Sequence, residues 1–156
     1  KEKEIKATFF LIGKNMQKFP DIVQQILNEG HSIGNHSYSH INGWKNKTKN
    51  YINDINKCQE LMAKNILFRP PYGKITIGQI KKLKKIYNII LWDIMAYDFK
   101  KNITAYEIKK NILQNINKGS IIVLHNNQTS YKNLKPILSE VIDSIKDSGF
   151  KFSSTW

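Results

Sequence analysis

Ala7-Thr8-Phe9-Phe10-Leu11-Ile12, closed by Gly13, is an unbroken apolar run of strand-forming residues, the pattern of a buried strand. A helix is expected next, over about Pro20 to Glu29, with Pro20 near its first turn and Gly30 as its stop. His31 to Gly34 then reads as a second short strand. Strand, helix and strand in that order point to a crossover unit, whose two strands pair in parallel.

The rest of the chain repeats the plan. Thr48 can cap a helix running to about Lys64, with Ile52, Ile55, Cys58 and Met62 near one face. Ile66-Leu67-Phe68 is a brief strand, broken by Arg69-Pro70-Pro71-Tyr72-Gly73, since consecutive prolines cannot join a central ladder. Thr76 with Gln79 forms a capping box for a helix to about Lys85, and Tyr87 to Trp92 is the next strand. A second box, Thr104 with Glu107, opens a helix ending by Gly119, and Ser120 to Leu124 is a β-prone run that ends on His125. A last helix over about Leu134 to Asp147, stopped by Gly149, precedes a short strand at Phe150 to Phe152. The pattern predicts an α/β fold with a parallel sheet, open or closed into a barrel. No linker, repeat or low-complexity tract divides residues 1–156, so one domain is expected.

The formal charge of +13 suggests a nucleic-acid partner. The excess is almost entirely lysine, however, scattered without a stripe of interleaved aromatics, so solvated helix faces account for it and no nucleic acid is expected. A weak attraction to anionic cell-wall polymers stays open. No apolar run nears the roughly 20 residues of a membrane span, and no signal-peptide pattern opens the chain, so a soluble domain is expected. Cys58 stands alone and can form no internal disulfide.

Three of the 4 histidines crowd into Gly30-His31-Ser32-Ile33-Gly34-Asn35-His36-Ser37-Tyr38-Ser39-His40. His36 and His40 are four apart, which on one helical turn sets Cβ atoms roughly 5–6 Å from each other. Two such imidazoles can chelate one ion at roughly 2.0–2.1 Å, as zinc prefers, although spacing alone favours an ordinary polar loop. His36 and His40, Arg69, Asp93 and Asp98, and His125 each follow a predicted strand. In parallel α/β folds those strand ends share one rim, where active sites are found. Arg69 is the only arginine in a lysine-rich chain, which marks a site suited to a planar, always-charged fork. Taken singly, each of these residues also has a structural explanation in a loop cap, an ion pair or a hydrogen-bonded core histidine.

His36-Ser37-Tyr38-Ser39-His40, Arg69-Pro70-Pro71-Tyr72-Gly73 and Ile122-Val123-Leu124-His125 resemble, in order and spacing, the second, third and fifth motifs of the polysaccharide deacetylases, the NodB-homology or carbohydrate esterase family four. The flanking Ala7 to Gly13 and Gly30 to Asn35 stretches are similar to that family as well, so the likeness covers nearly the whole chain. The resemblance implies a deformed parallel (β/α) barrel and metal-assisted removal of N-acetyl groups from N-acetylglucosamine-containing glycans. His36 and His40 would be metal ligands, with zinc the implied divalent ion. His125 would be the general acid, Arg69 would orient a catalytic carboxylate, and the Tyr72 backbone N–H would help hold the oxyanion. Val123 and Phe99 would wall the acetyl methyl. The chemistry is consistent with these roles: an amide carbonyl is a poor electrophile, so a divalent ion that polarises it and acidifies bound water serves both sides of the attack. An amine leaves only when protonated, and histidine titrates near working pH.

Two departures from the family pattern bear on the site. The fourth motif, Asp-x-x-Asp-Trp, appears as Met95-Ala96-Tyr97-Asp98-Phe99, so that Asp98 matches the second acid while Asp93 is the candidate substitute for the first. The first motif, Thr-Phe-Asp-Asp, which supplies the base and a third ligand, has no counterpart, since only Glu2 and Glu4 precede the opening strand. The expectation is therefore an N-terminally incomplete domain, short of its first strand and helix, that holds metal weakly. The alternative is a non-catalytic glycan-binding homologue. An acetylated glycan partner and a cell-envelope location follow from the resemblance, and the oligomeric state stays open.

Overall fold

The structure, a computed structural model, describes residues 3–63 and 65–154. They fall into two compact units, one built on Ile5–Leu91 and the other on Trp92–Phe152. Glu2 and the predicted helix end at Lys64 lie outside the described residues.

In the first unit four strands form a parallel sheet in sequential order: β1 Thr8–Leu11, β2 Ser32–Asn35, β3 Leu67–Phe68 and β4 Asn88–Ile89. Thr8 pairs with Ser32 and Leu11 with Asn35, so β1 and β2 run in register along their whole length. β1 is half-buried rather than fully buried, as an edge strand must be. Helices α1 Gly13–Lys18, α2 Pro20–Asn28, α3 Thr48–Gln59 and α4 Ile77–Leu83 connect the strands. The predicted α2 and the Thr76–Gln79 box on α4 are present, with both reciprocal bonds of the box formed. Thr48, in contrast, is the first helical residue, and Lys47 occupies the cap without a side-chain bond. Tyr51, Ile55, Phe68, Leu83 and Tyr87 make the core, clamping α3 and α4 onto β3. The strand expected over Tyr87 to Trp92 shrinks to two residues because the carbonyls of Ile90 and Leu91 turn to the Arg69 guanidinium instead of continuing the ladder.

The second unit holds β5 Ile94–Met95 and β6 Ile122–Val123, paired in parallel, with α5 Ala105–Asn115, α6 Gln128–Leu134 and α7 Leu138–Asp147. Ile94, Ile108, Ile112, Val141 and Ile145 are among its buried core residues. The predicted capping box at Thr104 and Glu107 opens α5. The helix expected over about Leu134 to Asp147 is α7, which starts later, at Leu138, and α6, on the other side of Pro136, was not expected. Phe150 and Phe152 pack against this core without forming a strand. Strand pairing is parallel throughout the described residues, as the alternation predicts.

Candidate active site

The His36–His40 segment leaves β2 as a loop, and its shape comes from two left-handed residues, Ser37 at φ 61° and His40 at φ 56°. Side chains on neighbouring elements hold it there. The buried Asn35 amide accepts from Ser37 N at 2.9 Å and donates to the Ile55 carbonyl at 3.0 Å. Asp54 Oδ2 on α3 accepts from both Tyr38 N and Ser39 N at 2.9 Å. This double bend, and not a helical turn, brings the two rings to a centroid separation of 4.9 Å. His36 Nδ1 lies 2.7 Å from the Arg69 carbonyl. A carbonyl only accepts, so Nδ1 carries the proton of that bond. His31 takes no part in the pair. It sits at the opposite end of β2, where its Nδ1 accepts from Ala7 N at 3.3 Å.

Arg69 follows β3, and its guanidinium donates from Nε to Ile90 O at 3.2 Å and from Nη2 to Leu91 O at 3.0 Å. Its face lies 4.2 Å from the Phe10 ring centroid. Phe10 can lie there because Gly34 has no side chain: a Cβ on Gly34 would stand 2.6 Å from the Phe10 ring. Burial pulls the Arg69 pKa down to about 10. The bonds named here are to main-chain carbonyls, whereas the family resemblance implies a carboxylate, and their effect is to tie β3 to the segment after β4.

Tyr72 sits in a 3₁₀ turn at Pro71–Gly73 with φ 61°. The turn's own bonds run from Gly73 N to Pro70 O and from Lys74 N to Pro71 O, and neither uses the Tyr72 N–H. The Tyr72 ring packs edge-on to His40 at 4.6 Å. His36, His40, Arg69 and Tyr72 are thus gathered at the C-terminal ends of β2 and β3, as the parallel-sheet rule requires.

In the second unit Asp98 and His125 form a dyad beyond the ends of β5 and β6. Asp98 is fully buried, accepts from the His125 backbone N–H at 2.7 Å and lies 2.8 Å from His125 Nδ1. One carboxylate thus fixes both the backbone and the ring of the same histidine. Phe99 packs edge-on against that ring at 4.9 Å and is 41% exposed, whereas Val123 is a buried strand residue opposite Met95. Asp93 requires a correction. It precedes β5 instead of following a strand, and its Oδ2 accepts from Ile121 N at 2.7 Å, so it caps the N-terminal end of the β5–β6 pair, away from Asp98. The strand boundary moved because β4 ends early.

Sequence reasoning did not find Asn35 and Asp54 as supports of the histidine loop. The available signal was weak: an acid in a lysine- and asparagine-rich helix, and an asparagine just before the first ligand candidate. Two imidazoles, one with its Nδ1 held from behind, are ligand types that suit a divalent cation. Among the described residues no group of three or more His, Cys, Asp or Glu completes a coordination sphere. His36 and His40 therefore fit as two ligands of a metal site and do not close one.

The family model for polysaccharide deacetylase matches residues 1–87. A peptidoglycan-N-acetylglucosamine deacetylase of Bacillus cereus is 37% identical over 97% of this chain, which spans 58% of that relative's length. A second B. cereus protein of the same name is 33% identical, with 94% of this chain and 71% of the relative covered. Among solved structures, the Bc1960 peptidoglycan N-acetylglucosamine deacetylase, in complex with 4-naphthalen-1-yl-N-oxidanyl-benzamide, superposes with TM-score 0.92 at 36% identity, covering 97% of this chain and 74% of that one. With the family model covering more than half of its residues and a relative matched over most of both lengths, the chain belongs to the polysaccharide deacetylase family.

Proposed function

We propose that the chain carries a metal-dependent N-deacetylase that releases acetate from N-acetylglucosamine units of peptidoglycan in the cell envelope. The observation that carries this reading is the His36–His40 pair, with His36 locked by the Arg69 carbonyl at 2.7 Å. Relatives named for this activity support it. The ligand of the Bc1960 structure supports it too, since adjacent carbonyl and N-hydroxyl oxygens are a chelating pair suited to a divalent ion.

His36 and His40 would hold the ion, proposed as zinc, which when bound supplies Lewis-acid polarisation of the acetamide carbonyl. Three further tasks have candidates among the described residues, and the base that takes a proton from the attacking water is not one of them. The Tyr72 N–H, outside the bonding of its own turn, is the donor for the developing oxyanion. In the second unit, taken by itself, His125 is the side chain suited to protonating a departing amine, and Asp98 keeps that ring in one orientation and supplies its countercharge. Phe99, edge-on to the His125 ring, gives that dyad an apolar neighbour.

A second reading, a glycan-binding homologue without hydrolysis, is favoured by one observation: the described residues close no three-ligand site. The two separate on one experiment. Full-length protein supplied with zinc is incubated with peptidoglycan or N-acetylglucosamine oligomers, and both acetate release and glycan retention are measured, with and without chelator. Chelator-sensitive acetate release is the expected result. Retention without acetate from a well-folded, metal-loaded protein overturns the enzyme.

A further inference from the structure

Trp44 is 65% exposed, yet few loops in the chain are held as firmly as the one that carries it. It sits in a 3₁₀ turn, Gly43–Lys45, capped by the Asn42 side chain, which accepts from Trp44 N at 2.9 Å. Gly43 N donates to Lys74 O at 3.1 Å, and the indole Nε1 donates to Ile75 O at 3.2 Å. From below, the buried Gln79 amide donates to Gly43 O at 2.8 Å and to Asn46 O at 3.3 Å. The approach is so close that a Cβ on Gly43 would stand 2.4 Å from the Lys74 carbonyl. An indole fixed this way loses little freedom when something stacks on it, which is how a rigid aromatic contributes to binding.

The two stitched loops are those that carry the histidine site. Trp44 follows His40 by four residues, so their Cα atoms are within about 14 Å. Lys74 follows Tyr72 by two, and the Tyr72 ring rests on His40 at 4.6 Å. Lys74 Nζ stands 5.1 Å from the Trp44 ring centroid, and among the described residues Lys74 has no ion pair. The lysine–ring pairs at Tyr106 and Tyr131 are i,i+4 neighbours on one helix, the default of a lysine-rich surface. The Trp44–Lys74 pair instead joins two separate loops and leaves a cation over an exposed indole.

We infer that Trp44 and Lys74 form a substrate subsite beside the histidine pair, in which the indole stacks on a sugar ring and the ammonium pairs with a carboxylate borne by that sugar or its neighbour. The subsite selects a glycan carrying acidic substituents over a neutral N-acetylglucosamine polymer. It rests on the glycan reading proposed above and adds to it the charge of the substrate.

The test is equilibrium binding to the full-length protein with chelator present, so that turnover does not intrude. Soluble peptidoglycan fragments bearing carboxylates are compared with neutral N-acetylglucosamine oligomers of similar length by calorimetry. Trp44→Ala weakens both ligands by about tenfold, the loss of one stacking contact. Lys74→Glu weakens only the acidic fragments, again by about tenfold or more, and weakens them less as salt is raised. Trp44→Ala and Trp44→Phe both lose the Nε1 bond to Ile75 O, so Trp44→Phe, which keeps a ring, separates stacking from loop anchoring and recovers most of the lost affinity. Unchanged affinities in Trp44→Ala, or equal losses for both ligands in Lys74→Glu, overturn the subsite while leaving the deacetylase reading intact. If the unsubstituted protein binds neither ligand, the glycan reading itself falls.

Discussion

His36 in the unit built on Ile5–Leu91 leans on a main-chain carbonyl, and His125 in the unit built on Trp92–Phe152 leans on a buried carboxylate. Both bonds are made through Nδ1, but the supports ask different things of the ring. A carbonyl has a dipole and no charge to offer, so it orients the ring without favouring its charged form, which suits a metal ligand. A carboxylate adds a full countercharge, which is what a proton donor needs while it carries its proton. The same side chain is thus set to two tasks by its neighbour's charge.

The most damaging change to that division is loss of a ligand. In the full-length protein His36→Ala should reduce zinc-dependent acetate release to background, while His31→Ala, at the far end of β2, should leave it near the parent level; an equal loss in both would erase the distinction between the two ends of the strand. Asp98→Asn is expected to lower kcat by roughly 10²–10⁴-fold, through the wrong hydrogen-bond partner for His125, with zinc affinity by calorimetry unchanged. Arg69→Lys tests the first unit's framework, because lysine cannot span both Ile90 and Leu91 carbonyls. A loss of about 1–3 kcal/mol in denaturant unfolding is expected, and a stability equal to the parent's would show that the fork is not used.

The smallest effect is on pH dependence. Burial raises the Cys58 thiol to about 11 from 9.0, so the folded state keeps a proton that the unfolded chain releases. Stability is then full below pH 9 and falls as pH rises toward 11, by at most about 1.4 kcal/mol per pH unit from this group. Arg69, lowered by burial to about 10, acts with the opposite sign above that pH. Burial also raises Tyr51 and Tyr87 from 10.0, which adds to the thiol's effect as pH nears 10, so the thiol is read from the difference between parent and Cys58→Ala between pH 9 and 10. Cys58→Ala should flatten the slope of unfolding free energy there, and an unaltered slope would count against burial as the cause.

The α/β class, the parallel pairing and the location of His36, His40, Arg69 and His125 after strands were legible because apolar runs, capping boxes and prolines are local signals. What sequence reasoning missed depended on partners distant along the chain. The strand from Tyr87 shortened because Arg69 drew off the Ile90 and Leu91 carbonyls, and that displaced Asp93 to the wrong end of β5. The clamp on the histidine loop by Asp54, and the joining of Asp98 to His125, span 15 or more residues each and leave no periodicity to read. Pro136, between α6 and α7, is a local signal, and the expected start at Leu134 passed over it.

Ser37, His40, Tyr72 and Tyr97 are all in the left-handed region without being glycine, and each is a site residue or within one position of one. Such backbones cost about 1–3 kcal/mol apiece when nothing compensates, so a screen for heat-tolerant variants would return glycine or asparagine at these positions early. Those variants would survive heating and yet aim their loops loosely. An engineer wanting a sturdier protein should look to the helix faces and leave these four bends alone.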